Sequence, residues 1–489
     1  MPNPRHNRTF TPTFATALTS ALATALTIPA CTVGPTYEPP DIQTPDTFRF
    51  ATEGVLDATD TKWWSAFNDP ILDDLINEAL QSNLDVRIAA SRVDEFAARI
   101  GIQRSAAFPQ IDADASAART QNSREAGIGA TGGPRVSEFF EANLNVGWEL
   151  DIFGRVRRAT DAAIADTLAA EEVRRGIILS LVTSVATSYI GLLSLDQQLA
   201  ISQQKLQTRQ DTLELFELQF EKGVISRLEL AQIRSELERT AATIPQLQRE
   251  IAILENALSV LLGRPPGTID RAPSLATLST PPVPAGLPSE LLTRRPDLRE
   301  AQANLIAANE RIGLAVANFY PRFALTASMG LASSDLTNLF DLSATTYTLA
   351  AGVAAPLFTA GLLENQLNVA QAQEQQALDI YRATVLTALR ESEDALVTRT
   401  TTIEESAAQQ RQTQALAEYA DLAQRRYDNG FVGYLEVLDA ERDLFDAELQ
   451  QTRLQASLLS SLIAIYKSFA GGWVTLAEHT ADQPPSPPQ

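Results

Sequence analysis

Two periods of hydrophobic and polar positions alternate along this chain, and they recur in the same order twice. After Asp69-Pro70 an amphipathic pattern at helical spacing runs from Leu72 to Ala107 and stops before Pro109. The period then changes to two: Phe140, Ala142, Leu144, Val146, Trp148 and Leu150 alternate with Glu141, Asn143, Asn145, Gly147 and Glu149. A long stretch without proline, Arg155 to Glu221, reads as one helix that would reach about 100 Å at ~1.5 Å per residue. A returning helix carries a heptad seam from Leu230 through Ile233, Leu237, Thr240, Ile244, Leu247, Ile251, Leu254 and Leu258 to Leu261, with a kink expected at Pro245.

The second pass begins at Arg295-Pro296 and reaches Pro321 as helix. Phe323, Leu325, Ala327, Met329 and Leu331 then alternate with polar or small residues, as do Tyr347, Leu349, Ala351, Val353 and Ala355. A second long helix runs from Leu362 to Asn429, and its partner has a seam from Leu438 through Arg442, Phe445, Leu449, Thr452, Ala456, Leu459 and Ile463 to Tyr466. Landmarks match at a separation of about 210 residues. Arg99-Ile100-Gly101 returns as Arg311-Ile312-Gly313, Ile152-Phe153 as Leu357-Phe358, and Phe220-Glu221-Lys222-Gly223 as Tyr427-Asp428-Asn429-Gly430. The chain is a tandem duplication.

The predicted organisation is a signal segment over 1–30, an extended arm over 31–68, a first repeat over 69–263, a proline-rich connector over 264–290, a second repeat over 291–473 and a tail over 474–489. Strands are expected at 110–118, 138–153, 322–332 and 345–358. Each is near the ~9–11 residues that cross a bilayer when tilted. Beyond the leader no spanning helix is expected, so a membrane crossing must use strands. Four strands cannot close a barrel, and open edges in lipid cost several kcal/mol per unsatisfied group, so oligomers must complete it; three copies supply twelve strands.

Composition narrows the chemistry. With 39 basic and 60 acidic residues the net charge of −21 repels nucleic acid. The two histidines, His6 and His479, stand near the ends, so the body of the chain has no imidazole base or ligand. A single cysteine forms no metal cluster, and neither a GxGxxG nor a GxxxxGK[ST] loop is present, so no cofactor, metal or enzymatic activity is expected. That cysteine, Cys31, follows Ile28-Pro29-Ala30 at the end of an uncharged leader behind Arg5 and Arg8, an arrangement similar to a bacterial lipobox. Asp112 and Asp114 lie opposite Ile111, Ala113 and Ala115 and are candidates for a barrel lumen, surface-loop aspartates being the alternative.

Cys31-Thr-Val-Gly-Pro-Thr-Tyr, Trp63-Trp64, Trp148-Glu-Leu-Asp-Ile-Phe-Gly-Arg155 and Leu291-Leu292-Thr293-Arg294-Arg295-Pro296-Asp297-Leu298, together with Tyr427 to Arg442, resemble the TolC-type outer-membrane factors of the OprM/NodT-like efflux lipoprotein branch. The resemblance implies a mainly α chain with membrane β-strands: a homotrimer with a long coiled-coil α-barrel and a 12-stranded β-barrel. It also implies lipidation at Cys31 and an anchor in outer-membrane lipid, a periplasmic adaptor (membrane fusion protein), and an inner-membrane transporter of RND type. The chain is then the exit duct of a tripartite efflux pump. A duct for type I protein secretion and a purely periplasmic coiled-coil lipoprotein are the alternatives. Gly223 and Gly430 are the expected turns of the helical hairpins. Glu229, Glu436, Asp439 and Tyr427 match the family's periplasmic gate; the carboxylates would form acidic rings that favour cations. A basic latch of the family corresponds to Val432 here, with Arg442 and Arg227 as replacements.

Overall fold

The computed structural model describes residues 32–50, 62–123, 125, 134–280, 290–469 and 473–481. Its elements are α1 (Pro70–Ser82), α2 (Leu84–Ser105), β1 (Gln110–Gln121), β2 (Val136–Leu150), α3 (Arg155–Glu221), α4 (Arg227–Leu261), α5 (Leu291–Arg294), α6 (Pro296–Ala317), β3 (Arg322–Ser333), β4 (Thr345–Ala354), α7 (Leu362–Asp428), α8 (Tyr434–Phe469) and α9 (Trp473–Ala481). They divide into two compact units. The first holds the chain up to Glu38 with Ala97–Ala165 and Ile306–Gln376; the second holds Pro39–Phe96, Asp166–Leu305 and everything from Ala377 onward.

The first unit is built on one antiparallel sheet in the order β1-β2-β3-β4, in which β1 and β4 are the edges. Registers such as Ala113↔Leu144, Leu144↔Met329 and Met329↔Tyr347 put Ile111, Ala113, Leu144, Val146, Trp148, Leu325, Met329, Leu349 and Val353 on one face. That apolar face is open: Ile111 is 71 %, Met329 64 % and Leu349 71 % exposed, far beyond what a water-facing sheet tolerates. The opposite face carries Asp112, Asp114, Ser116, Glu141, Asn143, Asn145, Thr326, Ser328 and Thr348. Two strands end earlier than the alternation suggests, at Leu150 rather than residue 153 and at Ala354 rather than residue 358. At β2 the cause is Asp151, whose carboxylate accepts from the amides of Val156 and Arg157 at 3.0 and 2.9 Å and so belongs to the start of α3.

The second unit has its main core around Trp63, Trp64 and Phe67, which pack on Leu72, Ile76 and Leu80 of α1, Ile178, Val185 and Tyr189 of α3, Tyr466 of α8 and Trp473 of α9. Trp63 stacks on Tyr466 at 5.1 Å and meets Trp473 edge-on at 5.9 Å. Asp69 caps α1 by accepting from Ile71 N at 2.9 Å ahead of Pro70, and it also accepts from the Tyr189 hydroxyl at 2.5 Å. The expected single helix from Leu72 to Ala107 is broken at Asn83, whose Oδ1 accepts from Asp85 N and Val86 N and starts α2 afresh.

Among the described residues one helix is long and apolar enough to span a membrane by length and composition, against the expectation of none. It is α3, through the uncharged run from Gly176 to Leu195. That run supplies Ile178, Val182, Val185, Tyr189 and Leu193 to the core, so its hydrophobicity is spent on packing. The two heptad seams are buried at Leu230, Ile233, Leu247 and Leu258 of α4 and at Leu438, Phe445, Leu449, Leu459 and Ile463 of α8. α4 continues through Pro245. Arg442 departs from its seam and stands partly exposed, paired with Asp439.

Candidate functional site

Two helical hairpins, α3–α4 and α7–α8, turn at Gly223 and Gly430. Both glycines have left-handed φ, 77° and 75°, a conformation that costs any other L-residue about 1 kcal/mol or more. The hydrogen bonds around them are the same in both copies. Gly223 N donates to Phe220 O and Val224 N to Gln219 O, each at 2.9 Å; Gly430 N donates to Tyr427 O and Phe431 N to Arg426 O, each at 2.9 Å. This pair of bonds satisfies the carbonyls that end each long helix and reverses the chain.

Behind the turns lies an aromatic cluster. Phe216 is packed 4.4 Å from Tyr434, which meets Tyr427 edge-on at 5.2 Å, and Leu230, Ile233, Val437 and Leu438 close around them. Burial raises the Tyr434 phenol far above its ordinary range, and burial, then the charges of Glu229 and Asp428, raise Tyr427, so both rings are neutral hydrogen-bonding groups. Of the gate residues expected from sequence, Tyr427 therefore belongs to the packed floor of the turns.

The three carboxylates are held by different partners. Glu229 accepts from Ser226 N at 2.7 Å while Ser226 Oγ accepts from Glu229 N at 3.3 Å, a capping box that opens α4. Glu436 takes Arg426 across the hairpin at 2.9 Å, and Asp439 takes Arg442 along α8 at 3.1 Å. Arg426 was invisible to motif reading: it lies four residues before Gly430 and Glu436 six after it, and only the folded turn brings the two side chains together. The first hairpin has its own bolt of reversed polarity, Arg234 with Glu217 at 2.6 Å. Of the two replacements considered for the latch, Arg442 is engaged with Asp439, and Arg227 is exposed.

Higher up, Arg209 of α3 is 8 % exposed and donates to Glu236 O at 2.9 Å and to Thr240 Oγ1, with its guanidinium 5.6 Å from the Phe445 ring of α8. Burial lowers its pKa, Glu236 and Glu441 opposing. Glu441 is itself raised by burial, against Lys205 and Arg209. With Arg239 on Asp446 at 3.2 Å these contacts tie the first hairpin to the second.

On the polar sheet face, Asn145 Nδ2 donates to Asp114 at 2.5 Å and to Asp112 at 3.2 Å, and Ser116 Oγ donates to Glu141 at 2.9 Å. The two aspartates are thus strand residues and not loop residues. Among the described residues no group of three or more His, Cys, Asp or Glu side chains is arranged to hold a metal. Cys31 lies outside the described residues.

The sequence matches the outer membrane efflux protein family over residues 75–264 and 287–471. It is 36 % identical over 408 residues to the toluene efflux pump outer membrane protein TtgI of Pseudomonas putida, covering 83 % of this chain and 86 % of that one. The cation efflux system protein CusC of Escherichia coli is 33 % identical over 455 residues, covering 92 % and 97 %. Among solved structures, the outer-membrane channel OprN superposes with a TM-score of 0.84 at 30 % identity, covering 91 % of this chain and 100 % of that one.

Proposed function

The chain belongs to the outer membrane efflux protein family and is an outer-membrane efflux channel, and from that premise we propose how its own residues make the duct. Three copies join their sheets edge to edge, β4 to β1, into a twelve-stranded barrel. The observation that carries this reading is the sheet itself: two unpaired edges and an exposed apolar face on a chain whose other face is acidic and amide-rich. In lipid the apolar face meets acyl chains, and closure satisfies the edge N–H and C=O groups at several kcal/mol each. Asp112, Asp114 and Glu141 then face an aqueous lumen.

The paired hairpins continue the duct into the periplasm, and their turns form the inner mouth. There Glu436 and Asp439 project as acidic rings, each carboxylate oriented by the arginine it holds within its own hairpin, Arg426 and Arg442 respectively. A periplasmic adaptor grips the hairpins, and an inner-membrane transporter of RND type supplies the energy. Cys31 carries the lipid that anchors the arm to the outer membrane. The cargo is a class of small molecules; the names of TtgI and CusC point to toluene in one relative and to cations in the other.

The test is the mass of the protein extracted from outer membranes in mild detergent, corrected for bound detergent and lipid, followed by planar-bilayer recording. A three-chain particle with cation-preferring conductance supports the duct. A stable single chain overturns it.

A further inference from the structure

The duplication gives each contact between the two repeats a counterpart that a single chain leaves unmade. α2 and α6 are each 22 residues long, and α3 and α7 are each 67, so Leu84 aligns with Pro296 and Arg155 with Leu362 without gaps. Inside the chain α6 lies along α3. There Glu172, 5 % exposed, takes Arg175 of its own helix at 2.6 Å and Arg299 of α6 at 2.8 Å. Under the alignment Glu172 becomes Asp379, Arg175 becomes Arg382 and Arg299 becomes Arg87: all three charges are kept.

Half of this counterpart is already formed. Asp379 pairs with Arg382 at 3.3 Å along α7, the same three-residue step as Glu172 with Arg175. Arg87 stands exposed on α2 with no carboxylate partner among the described residues. The faces around them match as well: Arg87, Ser91, Asp94, Ala98, Gly101 and Ser105 line one exposed stripe of α2, and a Cβ built on Gly101 meets nothing within 4 Å. On the equivalent Gly313 of α6 it would lie 2.6 Å from Arg158 Nε.

The sheet leads to the same partner. Carrying the β2–β3 pair Val146↔Ala327 through the duplication, by the step that takes Ile152-Phe153 to Leu357-Phe358, sets Ala351 of β4 beside Ala115 of another copy's β1, apolar face on apolar face. We infer that Arg87 of one copy completes the Asp379–Arg382 pair of the next, an ion-pair triad that repeats the Glu172–Arg175–Arg299 triad across the seam between subunits. The inference rests on the three-copy duct and names the contact that holds its helical wall. The two kinds of seam are not equal. Within the chain, Arg158 also pairs with Glu310 at 2.7 Å and donates to Val33 O and Gly34 O, and Gly34 approaches so closely that its missing Cβ would lie 2.5 Å from Gly313 Cα. Their counterparts are Asn365 and Ala98, which form no such pair. The helical part of the seam between copies therefore leans on the triad more than the seam within the chain does.

The experiment compares Arg87→Glu, Asp379→Arg and the double exchange in detergent-extracted protein, reading the lifetime of the three-chain species at raised temperature on a semi-native gel. Each single reversal replaces attraction by repulsion at three seams and should shorten that lifetime at least about tenfold. The double exchange should restore most of it. Singles that match the wild type, or a double no longer-lived than the worse single, overturn the pairing. Arg87→Cys with Asp379→Cys gives a second readout: a bifunctional thiol crosslinker about as long as the replaced ion pair should yield covalent two- and three-chain ladders under denaturing conditions, and their absence counts against the contact. A wild-type protein that runs as one chain overturns the duct, and the seam with it.

Discussion

Glu441 shows how one buried carboxyl sets a pH dependence. Burial raises its pKa above the ordinary glutamate value, with Lys205 and Arg209 opposing. The folded state therefore holds a proton that the unfolded chain releases, so this residue's contribution to stability is greatest at acid pH and is lost as pH rises above the usual glutamate range. Glu441→Gln should raise the denaturation midpoint at neutral pH, by at most about 1–2 kcal/mol, and leave it unchanged at acid pH. Equal effects at both pH values, read by denaturant titration, would refute the assignment. The carboxylates at the turns behave differently, because Glu436 and Asp439 are partly exposed and already paired. Exposed pairs contribute about 0–1 kcal/mol. Replacing both with alanine should leave melting nearly unmoved while lowering cation preference in a bilayer; unchanged selectivity would remove them from the gate. Motif reading found these acids but missed Arg426, because ion pairing across a turn is a property of two positions and neither is distinctive alone. It missed Arg209 for a related reason: a lone arginine in a helix reads as a solvated charge until Thr240 and Phe445 close over it.

At the scale of elements, punctuation decided what was legible. Asp69-Pro70 marked the start of α1, and the two turn glycines marked both hairpins, since proline and left-handed glycine each leave one local structure available. Asn83 escaped because an asparagine inside a helical pattern looks tolerable, and only its two bonds to Asp85 N and Val86 N reveal a cap. The strand ends were overrun for the same reason at Asp151. The turns give a quantitative check. Gly430→Ala forces a side chain into a left-handed conformation and should destabilise the second hairpin by about 1–2 kcal/mol, visible as faster protease cleavage near residue 430. In the core, Trp63→Ala removes a ring that touches Trp64, Phe67, Tyr466 and Trp473 and should cost about 3–5 kcal/mol, so a thermal midpoint within a degree of wild type would contradict the packing described.

For the whole molecule, the duplication and the charge balance act together. A sheet with one apolar and one acidic face sorts its two sides between lipid and water once its edges are paired, and the polar side repeats around the ring. In the proposed barrel each copy would contribute Asp112, Asp114 and Glu141; Asn145 donates to the two aspartates at 3.2 and 2.5 Å and Ser116 to Glu141 at 2.9 Å, so the acids would stand as a fixed array. A net charge of −21 per chain adds a field of the same sign. Such an array concentrates cations at its mouth through long-range attraction, which is screened over ~10 Å at 0.1 M salt and ~3 Å at 1 M. Cation preference should therefore be strong at low salt and fall steeply as salt rises. Asp112→Asn with Asp114→Asn keeps hydrogen-bonding groups facing Asn145 while removing two charges per copy, six around the ring. The double variant should assemble as the wild type does, show weaker cation preference at low salt, and converge with the wild type at 1 M. If reversal potentials of the two proteins coincide across the salt series, the acidic face does not border the conducting path.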